Sequence, residues 1–392
     1  MTWDVRRSFA VRAGPTRLMF GVDVVGCLEP WLERFEKILL VTGRRSARES
    51  GALADVERLL RRCGVSYEHF DRVTPNPSEA LVEEVAEAAR GVEAIVAIGG
   101  GSVIDAAKLA SVVAKCGGRV RDYALGDAQI RGALPLAAVN LTHGTGSEVD
   151  RYAVVTIDDL RAKIGVASDH MYPEISIDDP RYLLTLPRDQ TTYTTLDAFY
   201  HAIESATSFW ASPYTKLLAE EAVRLAASWL PSALENPRDL SARFWLLYAS
   251  MIAGICIDNS RTHLIHAMEH ALSGLRPELA HGAGLAMLGP PIVELIYKAD
   301  PSTCCSLLRH VDPGLRPTAD DSQRARRALE EFQKSVGFAE TPERYGLGLG
   351  DVEHVKKVAL EILGAQSKLA PFEVTPRLVE EIYREMLRSS SR

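Results

Sequence analysis

Two pairs of potential metal ligands stand four residues apart in the second half of the chain: Asp197 with His201, and His266 with His270. On an α-helix that spacing puts both side chains on one face, with Cβ atoms about 5–6 Å apart, so each pair forms a pincer. Both pairs lie in helix-favouring sequence, and His281 follows in what reads as a loop. Five of the ten histidines, His201, His263, His266, His270 and His281, fall between positions 201 and 281, which argues for a shared task. Imidazole and carboxylate donors suit Zn, Fe, Co or Ni better than Ca or Mg. The expected chemistry is that of one divalent transition metal.

A second constellation lies in the first half. Gly99-Gly100-Gly101-Ser102 follows the apolar run Ala94–Ile98 and precedes a helix read over Val103–Ala114. Bare backbone N–H groups and the positive end of a helix then meet whatever a sheet delivers there, as in a phosphate cradle. After the apolar run Leu134–Val139 comes a second such turn, Thr142-His143-Gly144-Thr145-Gly146-Ser147-Glu148. Two phosphate loops in one sheet point to a dinucleotide.

The elements that must hold these residues are legible from periodicity. A strand or hairpin is expected over Ser8–Phe20, and Lys37–Gly43 reads as a buried strand. In the next helix Leu53, Val56, Leu59, Leu60 and Cys63 keep three-and-four spacing, and Gly64 stands at its C-terminus. A strand over 65–70 and a helix over 78–90 repeat the alternation, which predicts a parallel sheet covered on both faces, with ligands at the carboxyl ends of its strands. Beyond Asp178-Asp179-Pro180 long helical periodicities take over, as in 217–230 and 241–256. The expectation is an α/β dinucleotide-binding domain over 1–184 and a helical metal-binding and substrate domain over 185–392; the tail from Pro301 reads as amphipathic helices without chemistry.

Charge and cysteines bound the function further. A chain of 392 residues with net charge −7 and dispersed Lys and Arg argues against nucleic acid or an anionic membrane as partner and for a small molecule. Six cysteines without a C-x-x-C pair suggest a reducing, cytoplasmic setting. The opening Met1–Phe9, with Asp4, Arg6 and Arg7, has no targeting pattern, and no later stretch reaches membrane-spanning length without charges.

The stretches Gly99–Lys108, Gly144–Val149 and Leu196–Glu204, with the histidine cluster ending in His281-Gly282, resemble the iron-containing, metal-dependent alcohol dehydrogenases nearly end to end. That resemblance implies an N-terminal Rossmann-like α/β domain and an all-α C-terminal domain, the plan shared with dehydroquinate synthase, usually as a homodimer. It implies Asp197, His201, His266 and His281 as ligands to Fe²⁺ or Zn²⁺, and His270 beside the metal as a proton-relay residue. It further implies cofactor contacts from Asn76, Gly99, Gly100, Gly101, Ser102, Asp105, Thr142, Thr145 and Lys163. A divalent ion there acts as a Lewis acid on an alcohol or carbonyl oxygen, while a nicotinamide carries the hydride. The alternatives are a sugar-phosphate cyclase-type lyase, a glycerol-type polyol dehydrogenase, or metal binding without turnover; the Asp-x-x-x-His spacing and the Gly-Thr-Gly-Ser-Glu loop favour the dehydrogenase. Two departures stand out: His143 replaces a usually small residue, and Asp150 a common Thr. Arg261, close before His266, is expected near the substrate pocket.

The cofactor's form is read at Gly43-Arg44-Arg45-Ser46. NAD-using members often carry Asp where Gly43 stands, a carboxylate that accepts from the ribose 2′-OH and repels a 2′-phosphate. Without it, Gly43 leaves room, and Arg44, Arg45 and Ser46 offer charge-assisted hydrogen bonds to that phosphate. NADP(H) is therefore expected, with NAD(H) as the other possibility.

Overall fold

The computed structural model describes residues 8–389; the charged opening with Asp4, Arg6 and Arg7 lies outside the described residues. The chain divides into two compact units. One comprises Ala13–Pro187 and Asn236–Leu247, the other Arg188–Glu235 and the residues from Tyr248 onward, with 8–12.

The first unit is built on eight strands: β1 (Arg17–Phe20), β2 (Lys37–Gly43), β3 (Ser66–Val73), β4 (Ala94–Gly99), β5 (Leu136–Asn140), β6 (Tyr152–Ile157), β7 (Ala162–Ala167) and β8 (Ile175–Asp178). Six form one sheet in the order β1-β8-β5-β4-β2-β3, every pairing parallel, while β6 and β7 make a separate antiparallel hairpin. The central strands β4, β5 and β8 are buried along their whole length. β4 and β5 accordingly read as nearly unbroken apolar runs, whereas β8 alternates, and its buried Ser176 and Asp178 are hydrogen-bonded to the Glu148 carbonyl and to Asn140. β3, at one edge, mixes exposed and buried positions. The opening expected as strand or hairpin over 8–20 contributes only the four-residue β1, at the other edge, and the strand expected over 65–70 runs on to Val73.

Side chains of Ile38, Leu40, Val96, Ile98, Val139 and Ile177 pack with Val56 and Leu60 of the helix Ala52–Cys63 in one core. Gly64 ends that helix at φ 72°, the left-handed conformation its glycine permits without a Cβ clash. β2 leads by way of its helix to β3 on one side, whereas β4 leads by way of its helix to β5 on the other. The crevice between β2 and β4, at their carboxyl ends, is thus the switch point where such sheets bind ligands, and Gly43 and Gly99 stand at its two lips, with Thr42 paired to Ile98.

The second unit is helical. Its site is carried by three helices, Arg188–Thr207, Leu264–Leu275 and His281–Ala299. The first and third approach closely because glycines face the first: a Cβ on Gly282 or Gly289 would overlap the Tyr193 carbonyl or the Tyr200 ring. Helix Leu240–Ser260 is long and apolar enough to cross a membrane, but it carries Arg243 and Asp258 and 67% of its apolar window is buried in protein, as in a core helix.

Candidate metal centre and cofactor loops

Asp197 is the hub of the helical unit. Its Oδ1 lies 3.4 Å from His201 Nε2, 3.6 Å from His266 Nε2 and 3.7 Å from His281 Nε2. Four ligands at about 2.0–2.2 Å from a tetrahedral ion stand about 3.3–3.6 Å from one another, so these separations match donors converging on a shared cation. Asp197 Oδ1 and His266 Nε2 are buried without a hydrogen-bond partner, a state that costs about 1–3 kcal/mol per group unless something satisfies it. The donor set therefore fits a divalent transition metal. His281 comes from the first residue of its helix and not from a loop as the sequence suggested; the helix starts earlier than its glycine-rich opening implies.

Behind the donors stand two buried carboxylates. Glu204 Oε2 is 2.5 Å from His266 Nδ1, and Glu204 accepts from the backbone N–H of Ile265 at 2.7 Å and of His266 at 3.3 Å. Glu269 pairs with His281 Nδ1 and accepts from Ser273 Oγ. Each carboxylate occupies Nδ1 of its histidine and so turns Nε2 toward Asp197, the orienting role such partners play at metal sites. Sequence reasoning did not single them out. The signal was present, since Glu204 is seven residues after Asp197 and Glu269 three after His266, each on or beside the ligand stripe.

Charge follows from this packing. Burial pushes Asp197 up, but His201, His281 and His266 outweigh it and hold the carboxyl well below the usual range. Burial likewise opposes ionisation of Glu204, and His263 with His266 overcomes it. His266 is pulled down by burial and raised more strongly by Asp197 and Glu204, to about 9. His270, buried one turn beyond His266, has its ring centroid 5.6 Å from that of His281. Its donor atom lies within 4.8 Å of those of Glu269 and His281.

In the α/β unit the two glycine loops meet. A Cβ on Gly100 would fall 2.7 Å from Thr142 Cγ2, and one on Gly101 2.7 Å from Thr145 Oγ1, so only bare backbone lets the loops close. Gly101 opens the helix Gly101–Cys116, with Gly100 at its cap. Asp105, expected among the cofactor contacts, has both carboxylate oxygens engaged by protein: Ser147 Oγ at 2.6 Å and Val154 N at 3.0 Å. It ties the second loop and β6 to the helix. Asn76 sits at φ 49°, and its carbonyl accepts from Thr156 Oγ1 at 3.4 Å. Thr156 pairs with Lys163 across the β6–β7 hairpin, which brings Asn76 and Lys163 to one corner. Arg44, Arg45 and Ser46 are exposed just past β2.

The two departures have partners. His143 is fully buried with Nε2 3.4 Å from Arg243 Nη1. Asp150 receives Lys108 Nζ at 2.9 Å and Tyr152 N at 2.8 Å, and Lys108 also donates to the carbonyls of Asp150 and Tyr152. Arg261 has φ 59° and its guanidinium lies over the Trp210 ring, 4.7 Å from the centroid.

A parallel-sheet unit with paired phosphate loops and a helical unit with a His₃Asp donor set define a class of nicotinamide- and metal-dependent oxidoreductases. The family model for iron-containing alcohol dehydrogenase matches residues 15–180, and that for the C-terminal region of the Fe-containing alcohol dehydrogenase family matches residues 191–387. The chain belongs to the iron-containing alcohol dehydrogenase family. It is 38% identical over 376 residues to the long-chain primary alcohol dehydrogenase AdhA of Thermoanaerobacter ethanolicus, covering 93% of this chain and 94% of that one. It is 32% identical to the NAD-dependent methanol dehydrogenase of Bacillus methanolicus, over 85% and 88% of the two chains. Among solved structures, the archaeal Red Sea brine pool alcohol dehydrogenase ADH/D1 superposes with a TM-score of 0.90 at 29% identity, covering 98% of this chain and 100% of that one.

Proposed function

We propose that this alcohol dehydrogenase interconverts small primary alcohols and aldehydes with NADP(H), holding its divalent metal on Asp197, His201, His266 and His281. The observation that carries the metal assignment is the convergence of three imidazole Nε2 atoms within 3.4–3.7 Å of one buried carboxylate oxygen. When bound, the metal supplies Lewis acidity toward the substrate oxygen and the nicotinamide accepts or donates the hydride. The chain's own residues do the rest. Glu204 and Glu269 fix the donor atoms of His266 and His281; the backbone at Gly99, Gly100, Gly101 and Ser102, with Thr142 and Thr145, cradles the dinucleotide phosphates, while Asn76 and Lys163 flank it. His270 moves the proton to or from the substrate oxygen.

Primary alcohols are favoured because relatives acting on them by name, the long-chain alcohol and methanol enzymes and the 1,3-propanediol dehydrogenase of Citrobacter freundii, all match most of this chain. NADP(H) is supported by Gly43, which places no carboxylate at the ribose position, and by the exposed arginines beside it; several relatives are named as NAD- or NADH-dependent, so this feature would set the chain apart. A Cβ at Gly43 would meet only ordinary contacts, 3.4 Å or more, so Gly43→Asp is a fair probe. The working enzyme is taken as a cytoplasmic homodimer.

The test is a panel of short and long primary alcohols and aldehydes with NADPH and NADH, on chelator-treated and Fe²⁺- or Zn²⁺-reloaded protein. Activity that requires the metal, prefers NADPH and shifts toward NADH in Gly43→Asp supports the reading. Full turnover without metal refutes the metal assignment, and a wild type that prefers NADH refutes the cofactor assignment.

A further inference from the structure

We infer that His263 is a positioning residue for the metal centre, acting through Glu204 to lock the register of the His266 helix on the Asp197 helix. This rests on the assignment of His266 as a metal ligand. His263 is fully buried and stands at the N-cap of helix Leu264–Leu275, where its own side chain makes no capping bond and the Glu204 carboxylate instead takes the first N–H groups. Its Nδ1 lies 2.8 Å from Glu204 Oε1 and its Nε2 3.1 Å from Thr207 Oγ1. Both contacts are on the Asp197 helix, one turn apart and continuing the stripe of Asp197 and His201.

Glu204 is thereby surrounded. Oε1 faces His263 Nδ1 and the N–H of Ile265, and Oε2 faces His266 Nδ1 and the N–H of His266. Four nitrogens stand around the two oxygens of one carboxylate: three are hydrogen-bond partners, and His263 Nδ1 is a close ionic contact at 2.8 Å that is not aligned as a hydrogen bond. Together they restrict its orientation. His263 and His266 are three residues apart and face the same neighbour, so two imidazoles on one helix grip a single carboxylate on another. The left-handed Arg261 turns the chain from the preceding helix into this cap. Without His263, Glu204 keeps its backbone donors but loses the one side-chain partner, among the described residues, that it has besides His266. The carboxylate is then held only by the first turn of the helix and by His266 itself, and the aim of His266 Nε2 toward Asp197 is loosened.

The experiment titrates Co²⁺ alone into full-length, chelator-stripped protein and follows the visible bands of a tetrahedral site. The variants are His263→Ala, His263→Gln, whose amide can still donate to Glu204, and Thr207→Val, which removes the second anchor. Loss of an outer-shell partner lowers metal affinity by about 10–100-fold. The expected result is weakening in that range for His263→Ala with a weaker band, substantial recovery in His263→Gln, and a smaller loss in Thr207→Val. Thermal melting of the stripped proteins is compared in parallel. Wild-type affinity and spectrum in His263→Ala overturn the inference, as does a loss that His263→Gln fails to recover and that tracks the melting temperature. If His263→Ala does not fold, Thr207→Val and His263→Gln decide by the same criteria. A wild type that binds no Co²⁺ overturns the ligand assignment itself, a failure distinct from unaltered binding in the variants.

Discussion

His143 provides the most direct link between an unusual residue and a measurable property. It is fully buried and its Nε2 faces the Arg243 guanidinium at 3.4 Å. Burial, and then the charge of Arg243, push its pKa down from 6.5 to about 3. In the folded protein His143 is therefore neutral, its Nε2 accepting from the arginine; in the unfolded chain it titrates near 6.5. A base depressed on folding contributes stability that is complete above the unfolded pKa and is lost as pH falls toward the folded one. A tenfold difference in proton affinity between the two states corresponds to about 1.4 kcal/mol. Two pH units below 6.5, still above the folded value, the loss on this group alone is therefore about 2.7 kcal/mol. For a unit of this size that corresponds to about 5–11 °C in melting temperature. The assay is thermal unfolding, by circular dichroism or calorimetry, of wild type and His143→Ala from pH 7.5 to 4.5. His143→Ala is expected to melt lower than wild type at neutral pH, because the cavity and the lost arginine contact cost stability. The gap should then narrow by several degrees as the pH falls, and taking the difference between the proteins removes the titration of the carboxylates. Parallel curves over the whole range would refute the argument.

Two further outcomes test the site. Gly101→Ala forces a Cβ to within 2.7 Å of Thr145 Oγ1 and should raise the KM for the nicotinamide by about tenfold or more, whereas Gly165→Ala, where a Cβ meets open space, should leave it unchanged; an unaffected KM in Gly101→Ala would show that the loops do not need to close. His270→Ala should lower kcat by about 10²–10⁴ and alter its pH profile, the range for loss of a positioned proton carrier, and retention of both would remove His270 from the reaction.

Patterns local to one element were legible from sequence. The three-and-four spacing of Leu53, Val56, Leu59 and Leu60 foretold a helix with that face buried, and the apolar run 94–98 foretold a central parallel strand, because burial on both faces of a sheet leaves no polar alternation. The pincers Asp197/His201 and His266/His270 were legible for the same reason, since one turn of helix fixes which residues share a face. Relations between elements were decided only in three dimensions. No spacing within a helix could show that Glu204 would lie against His266 and His263, or that Glu269 would hold His281, because those contacts depend on how three helices cross and on glycines at 282 and 289 that let them approach. Nor could the sequence show that Asp105 would be engaged by Ser147 and the Val154 backbone, or that His143 would lie against an arginine 100 residues away. Local geometry chose the donors; packing between helices chose their partners and hence their protonation and aim.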